Sequence, residues 1–408
     1  MEMTGKQAAI KIIRQLRRNG FEALLAGGCV RDMLLRRRAK DYDVATSAHP
    51  ADVAKLFKRT LRVGAKFGVV MVLIDTHQIE VATFRTETGY QDGRHPDRVS
   101  FSTAAEDAGR RDFTINGMFY DPIDKKVIDY VNGKKHLAKG LVRTIGDASR
   151  RFGEDYLRML RAIRFSTELD FDIAPSTWSA IINNAKHIIK ISGERIAMEL
   201  EAILTNPNRK TGAQMLLNSG LAGIIFTGFS GEQSKFGIQV LARLPKKVDF
   251  GLAVASLFAG CAIDFATEKC AVLKPSKARR RHIKFLLANR GKLLDSGMPL
   301  AQLKVILAEP YFWDLYELQA AIQKANKETL GPLLKTRRRA RALAGKDLRP
   351  RPLLNGHELI QLGAVPGPQV GQLAQELYIV QLAEEVQTSE QARQWAKKWL
   401  QRHNQMEA

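Results

Sequence analysis

Two adjacent glycines, Gly27 and Gly28, separate a short apolar run, Phe21 to Ala26, from an amphipathic one, Val30 to Leu35. Such a pair lets the backbone turn sharply and lets a bulky group come close to the main chain. The sequence therefore predicts strand, glycine turn and helix in immediate succession. Thirteen residues after Gly28, Asp41-Tyr42-Asp43 opens a second apolar run to Thr46, a second predicted strand. Carboxylates at i and i+2 of a strand share one face, so the pattern predicts an acidic pair presented on a small sheet near the turn.

The neighbouring segments extend that sheet. Residues 5–19 have helical periodicity, Pro50 opens a helix through Phe57, and Leu61–Val63, Val69–Ile74 and Ile79–Phe84 are β-branched runs separated by turn residues. Residues 86–102 are polar, punctuated by Gly and Pro and charged in both signs, which predicts a mobile loop near the site. Beyond Gly146 helical periodicity takes over, with helices expected at Gly153–Thr167, Gly193–Leu204 and Lys210–Ser219. Pro350 and the Gly/Pro positions 363–368 mark a boundary before a last helical unit. The fold class is α+β: a small mixed sheet with helices, then an all-helical remainder.

Length and charge narrow the partners. At 408 residues the chain exceeds one ordinary core and should hold several domains. The greasiest stretch, Gly251 to Ala262, is too short to span a bilayer and suits a buried helix. Cys29, Cys261 and Cys270 lack metal-ligand or CxxC spacing. With no visible secretory signal, a reducing cytoplasm is expected and a membrane is not. The 64 Lys+Arg against 42 Asp+Glu, net +22, favour a polyanion, with nucleic acid the expected partner. Two clusters, Lys274 to Lys292 and Lys335 to Arg351, each carry eight basic residues, against no acidic residue in the first and one in the second. They are candidate phosphate contacts.

Three groups of residues carry chemistry. Phosphoryl transfer needs metals, positioning and charge neutralisation more than covalent help from the protein. Asp41 and Asp43 are the candidate ligands for Mg²⁺, and Glu80, on a neighbouring predicted strand, is a candidate third carboxylate. In Arg110 to Asn116, Arg111 is the candidate contact to nucleotide phosphates or ribose, with Asp112 and Asn116 as hydrogen-bonding partners. In Glu154 to Phe165, Asp155, Arg158, Arg161 and Arg164 recur every three residues, predicting one polar stripe along a helix. Asp155 and Arg158 place an acceptor beside a fork of donors. Cytosine and adenine offer the complementary ring nitrogen and exocyclic amine, whereas guanine and uracil offer the reverse pattern.

LLAGGCVRDMLL, DYDVATS, EVATFRTE, RRDFTINGM and EDYLRMLRAIRF, in that order and covering about residues 24–165, resemble the class II tRNA nucleotidyltransferases and bacterial poly(A) polymerases of the DNA polymerase β-like superfamily. The resemblance continues more weakly through Ile191 to Leu200 and Leu353 to Leu359. It implies a catalytic head over 1–148, a helical neck over 149–219 with the base-reading helix, a body over 220–349 and a tail over 350–408. It further implies that Gly27, Gly28 and Arg31 contact the nucleotide and that Asp41 and Asp43 bind Mg²⁺. Arg111 would hold sugar or phosphates, Asp155 and Arg158 would read the base, and Arg161 and Arg164 would support them or reach the triphosphate. The basic clusters would hold the tRNA acceptor arm, and the loop at 86–102 would help the switch from CTP to ATP. The implied activity is CCA addition to tRNA from CTP and ATP. The alternatives are a CC-adding or A-adding partial enzyme, a poly(A) polymerase, and an RNA-binding protein with an inactive nucleotidyltransferase fold.

Overall fold

The structure, a computed structural model, describes residues 3–61, 68–88 and 98–404. The chain divides into two compact units, residues 1–235 with 268–275, and residues 236–267 with 276–408.

The first unit opens with α1 (Gly5–Arg18), started by a capping box between Thr4 and Gln7, with Ile12, Ile13 and Leu16 buried. Next come β1 (Ala23–Ala26), α2 (Gly28–Leu34), β2 (Asp43–Thr46), α3 (Pro50–Leu56), β3 (Thr60–Leu61), β4 (Val69–Ile74) and β5 (His77–Thr83). β6 (Arg85–Thr88), β7 (Arg98–Phe101), α4 (Ala104–Arg110), β8 (Phe119–Asp121) and β9 (Lys126–Ile128) follow. Seven strands form one mixed sheet in the order β3-β4-β5-β2-β1-β8-β9, with β2 parallel to β5 and the other pairs antiparallel. α1 packs on β1, β2 and β5. Leu24, Ala26, Ala45, Phe84 and Phe119 cluster with Ala104 and Ala108 of α4. The sheet's centre is thereby covered on both faces.

Register places the acidic residues. Ala26 pairs with Asp43, so the first residue of β2 lies opposite the last of β1, beside the glycine turn. Val44 pairs with Val81, which puts Asp43 and Glu80 one step earlier on adjacent parallel strands. β2 begins at Asp43 rather than Asp41: Asp41 and Tyr42 precede the strand in irregular backbone. The expectation that both carboxylates sit on the strand is corrected accordingly, because β1 ends at Ala26 and offers no ladder partner beyond Asp43.

The helical part of this unit begins with α5 (Gly133–Ala138), β10 (Leu141–Val142), α6 (Ala148–Glu154) and α7 (Leu157–Leu169). The single helix expected over Gly153–Thr167 is two, broken at Asp155 and Tyr156. Asp155 is extended, at φ −153° and ψ 105°, and its Oδ1 accepts from the Leu157 backbone N–H at 3.0 Å. A short acidic side chain that bonds nearby backbone competes with helix continuation and starts a new helix instead. β11 (Asp172–Ile173) pairs in parallel with β10, so a strand occurs beyond Gly146 that helical periodicity did not predict. α8 (Pro175–Asn184), α9 (Gly193–Leu204), α10 (Arg209–Asn218) and α11 (Leu221–Ile225) complete the bundle, with α7 packed on α9 and α10.

Part of the expected loop at 86–102 is ordered as the antiparallel pair β6 and β7, in which Thr86 pairs with Ser100. Residues 89–97 of that expectation, and residues 62 and 63 of the expected strand at Leu61–Val63, lie outside the described residues.

α12 (Gly231–Ala242) leads into the second unit, which contains α13 (Phe250–Leu257), part of α14 (Ile263–Ala271), α15 (Lys277–Ala288), α16 (Leu300–Leu307), α17 (Phe312–Asn326), α18 (Gly331–Ala342), α19 (Gly356–Gln361), α20 (Pro368–Leu382) and α21 (Ser389–Asn404). Buried His282 of α15 lies 3.2 Å from Asp249 and 2.9 Å from Asp314, tying α15 to the start of α13 and to α17. Leu359, Leu373, Ala392, Ala396 and Trp399 form a separate core among the last three helices. Among the described residues no helix is long and apolar enough to cross a membrane.

Candidate nucleotide-binding and catalytic site

Every candidate site residue named from the sequence lines one cavity of about 700 Å³ in the first unit. Gly27 and Gly28 form its turn. Gly27 has φ +74°, and a Cβ there would lie 3.1 Å from Nη1 of Arg111. Glycine thus satisfies both the left-handed backbone and the close approach of that guanidinium. Arg31, on α2, donates through Nη1 to Asn116 at 2.9 Å and through Nε to Asp32 at 2.9 Å.

Asp41, Asp43 and Glu80 open onto the same space. Burial, then the Glu80 charge, with Asp41 adding to it, pushes the Asp43 carboxyl up to about 6, against the pull of Arg111. Ionising Asp43 is therefore costly while no cation is nearby, the electrostatic signature of hard oxygen donors suited to a divalent ion. Among the described residues no three His, Cys, Asp or Glu side chains converge closely enough to hold a metal ion as one group. Two carboxylates with room beside them for phosphate oxygens is the donor set Mg²⁺ takes in nucleotide sites.

Arg111 is held from behind. Its Nη2 and Nε donate to Asp107 Oδ2 at 3.0 and 3.2 Å, and its guanidinium lies 4.9 Å from the Phe119 ring centroid. Asp107 is buried; burial opposes its ionisation, but Arg111 and Arg110 outweigh that and lower its pKa. Sequence reasoning missed Asp107, although its i,i+3 and i,i+4 spacing to Arg110 and Arg111 was a signal that could have found it, because α4 carries it one turn before Arg111. Burial likewise opposes ionisation of Asp112, yet Arg161, donating at 2.6 and 2.9 Å, pulls it down to about 2.

The base-reading candidates come from the α6–α7 break rather than from one continuous helix. Asp155 Oδ2 accepts from Arg195 of α9 at 2.7 Å. Arg158 Nη1 donates to Glu154 Oε2 at 2.6 Å and to the Arg151 carbonyl at 2.9 Å. Among the described residues its Nε and Nη2 have no recorded partner. Arg151 donates to Glu154 at 2.6 Å, to the Arg111 carbonyl at 2.6 Å and to the Arg110 carbonyl. One chain of charge-assisted bonds thus links the Arg158 fork to the backbone that carries Arg111. Arg164 donates to Glu199 at 2.6 Å, and Arg31, Arg161 and Arg164 pack on the Phe165 ring at 5.3, 5.3 and 4.2 Å. Arg195 and Glu199 lie in the Ile191–Leu200 segment, but their roles required knowing which helix packs on α7. The cavity sets eight arginines against five carboxylates, a surplus suited to a triphosphate.

The basic clusters are only partly a surface feature. Arg290 donates to the carbonyl of Cys261 at 2.9 Å and to that of Ala259, and Arg339 donates to the carbonyls of Ser296 and Met298 at 2.8 and 2.5 Å. These two arginines satisfy backbone ends inside the second unit. Lys277, Arg280, Arg281 and Lys284, by contrast, line an open groove of about 600 Å³ with Phe285 and Val305.

Comparison with known proteins agrees with this geometry. Residues 23–143 match the Poly A polymerase head domain, and residues 170–231 match the probable RNA and SrmB-binding site of polymerase A. The CCA-adding enzyme of Lacticaseibacillus paracasei is 36% identical over 378 residues, covering 91% of this chain and 90% of that protein. The Geobacillus thermodenitrificans CCA-adding enzyme is 45% identical over 217 residues, 53% of this chain and 54% of the relative. The crystal structure of the Bacillus stearothermophilus CCA-adding enzyme in complex with CTP covers 99% of this chain and all of its own, at TM-score 0.82 and 28% identity. With that overlap along nearly its whole length, the chain belongs to the CCA-adding enzymes, a family of nucleotidyltransferases.

Proposed function

We infer that the chain adds CCA to the 3′ end of tRNA from CTP and ATP, without a nucleic-acid template. The observation that carries this reading is one cavity lined by both the Asp41–Asp43 pair and the Asp155–Arg158 pair. A phosphoryl-transfer centre and a base-reading edge then act on the same nucleotide.

The RNA 3′-hydroxyl gives up its proton to solvent as its oxygen forms a bond to the α-phosphorus; the bond from that phosphorus to the bridging oxygen breaks, and pyrophosphate leaves with that oxygen and its electron pair. Asp41 and Asp43 would hold Mg²⁺, with Glu80 nearby; the ion supplies charge neutralisation and an activated hydroxyl. Arg111, buttressed by Asp107, neutralises phosphate charge, and Arg31 and Gly28 border the same nucleotide. Asp155, fixed by Arg195 and by the Leu157 N–H, accepts from the exocyclic amine of cytosine or adenine. Arg158, fixed through Nη1, offers its remaining donors to the adjacent ring nitrogen. Uracil and guanine would set donor against donor and acceptor against acceptor at this edge. The reading divides the chain into head (1–148), neck (149–219), body (220–349) and tail (350–408), and places the reaction in the cytoplasm, where three free, buried cysteines are at ease.

The test uses three RNAs with CTP, ATP and Mg²⁺: a tRNA transcript lacking CCA, one ending in CC, and an unrelated RNA. Three nucleotides on the first transcript followed by arrest are expected. Arrest after two, or extension of the CC end alone, identifies a partial enzyme, and long A tails on the unrelated RNA identify a poly(A) polymerase. Asp41→Ala should lower incorporation by more than about a hundredfold, the scale of losing a charge-stabilising group at a reacting centre, while tRNA affinity holds. Near-normal turnover would remove Asp41 from the metal site.

A further inference from the structure

A second cavity, of about 430 Å³, opens onto the same carboxylates. Gly28, Arg31, Asp41, Asp43 and Arg164 line both cavities, so the acidic pair forms part of a shared wall. The second cavity contains no part of the base-reading edge. It is bordered instead by Arg37, Arg38 and Lys40, exposed residues of the turn between α2 and β2, and by Asn206.

The charge balance of that turn is unusual for the site. Arg31 is neutralised by Asp32 at 2.7 Å, and Arg164 by Glu199 at 2.6 Å and Glu168 at 3.2 Å. Arg37 donates only to the Glu168 backbone carbonyl, at 3.3 Å, which leaves its charge unbalanced. Among the described residues neither Arg38 nor Lys40 has a carboxylate within ion-pair distance. Three uncompensated cations thus stand within four residues, immediately before Asp41. Buried Ala39 pins the middle of the turn to the unit.

In-line displacement requires the attacking oxygen and the departing pyrophosphate to lie on opposite sides of the α-phosphorus. The larger cavity holds Arg111 and the base-reading pair and is committed to the nucleotide. The acceptor strand must reach the carboxylates from another side, and the second cavity is an opening that does so. Its cations suit the phosphodiesters of a single strand, which carry one charge per nucleotide and bind through Lys and Arg without base readout.

We propose that Arg37, Arg38 and Lys40 form a clasp for the last phosphodiesters of the RNA acceptor strand, presenting its 3′-hydroxyl to the Asp41–Asp43 wall. This rests on the nucleotidyltransferase reading above. The test compares wild type, the triple variant Arg37→Ala/Arg38→Ala/Lys40→Ala, and the charge-keeping variant Arg37→Lys/Arg38→Lys. The KM for a tRNA transcript ending in CC, the KM for ATP and the inhibition constant of pyrophosphate are measured across a KCl series. In the triple variant the tRNA KM should rise at least about tenfold. The salt dependence of log KM should weaken by about 2, from roughly 0.7 for each single-strand phosphate released. The ATP KM and the pyrophosphate constant should stay within about twofold, and the lysine variant should follow wild type. An unchanged tRNA KM overturns the clasp. A raised pyrophosphate constant with unchanged tRNA KM also overturns it, making the cavity an exit for the leaving group. Wild-type protein that extends no RNA would instead sink the proposed function itself.

Discussion

Asp43 pays for its position in the absence of a cation. A carboxyl with an ordinary pKa near 4 when unfolded and about 6 when folded binds its proton more tightly in the native state. Native protein therefore holds more protons than unfolded protein between about pH 4 and 6, and metal-free stability falls as pH rises through that window, by on the order of 3 kcal/mol. Above it, Asp43 is ionised and uncompensated, so a divalent cation relieves a repulsion as well as binding. Mg²⁺ should thus raise the unfolding temperature more at pH 7.5 than at pH 5. Asp43→Asn should unfold at a higher temperature than wild type in metal-free buffer at pH 7.5 and show little response to Mg²⁺. A Mg²⁺ shift of equal size at both pH values in wild type would count against this coupling. Residue identity made Asp41 and Asp43 legible in the sequence, because paired carboxylates announce their chemistry. Asp107 sits four residues before Arg111, an ordinary i,i+4 helix spacing that does not by itself mark a site, and Arg195 was not legible as a partner of Asp155, since an ion pair across helices depends on packing that no local spacing encodes.

At the scale of elements, the joint between α6 and α7 matters more than either helix. Periodicity located the arginines of α7 correctly, yet it ran the helix through Asp155, because Leu157, Leu160 and Ile163 keep the apolar rhythm on the far side of the break. The break has a function that an unbroken helix would lack. It turns one Asp155 oxygen to the Leu157 N–H and the other to Arg195, fixing the carboxylate from two directions. Two substitutions separate these roles. Asp155→Asn keeps a side-chain oxygen for the Leu157 N–H but turns an amide NH2 toward Arg195, so the ion pair to α9 is lost and selection of CTP and ATP over UTP and GTP is lost with the acceptor. Asp155→Ala removes the cap as well, at about 1 kcal/mol, with the same loss of selection. Denaturant unfolding and single-nucleotide incorporation measure the two effects. If Asp155→Asn retains wild-type nucleotide preference, the joint is structural only. The glycine turn and strands β4 and β5 were legible because their signals are local: Gly27 requires φ +74°, and Val69–Ile74 and Ile79–Phe84 are β-branched runs flanking the turn at Asp75-Thr76. The β10–β11 pair was not, since two-residue strands have no period to detect.

Over the whole chain, the net charge of +22 is distributed by purpose rather than spread evenly. Some of it is consumed internally: Arg290 and Arg339 cap carbonyls, and the arginines on Phe165 are tied to Asp32, Asp112 and Glu199. Among the described residues two cavities are lined by exposed cations available to a polyanion, at the turn from Arg37 to Lys40 in the first unit and along α15 in the second. The groove combines Lys277, Arg280 and Lys284, all exposed, with an apolar floor of Phe285 and Val305, and Arg281 is already paired with Glu309 at 2.7 Å. If the groove binds RNA, it does so through phosphates, because cations on one helix face carry no base-specific pattern. Lys277→Ala/Arg280→Ala/Lys284→Ala should therefore weaken binding of a full tRNA at least about tenfold and lower its salt slope by 2 to 3, at about 0.9 for each duplex phosphate. The same variant should bind a short single-stranded RNA bearing only the acceptor 3′ end as wild type does, whereas loss of the Arg37–Lys40 charges should weaken both. Measured by titration over a salt series, equal losses for tRNA and short RNA in the groove variant would mean that the two basic sites do not divide the polyanion between them. Unequal losses would assign the distal part of the tRNA to α15 and its reacting end to the turn beside Asp41.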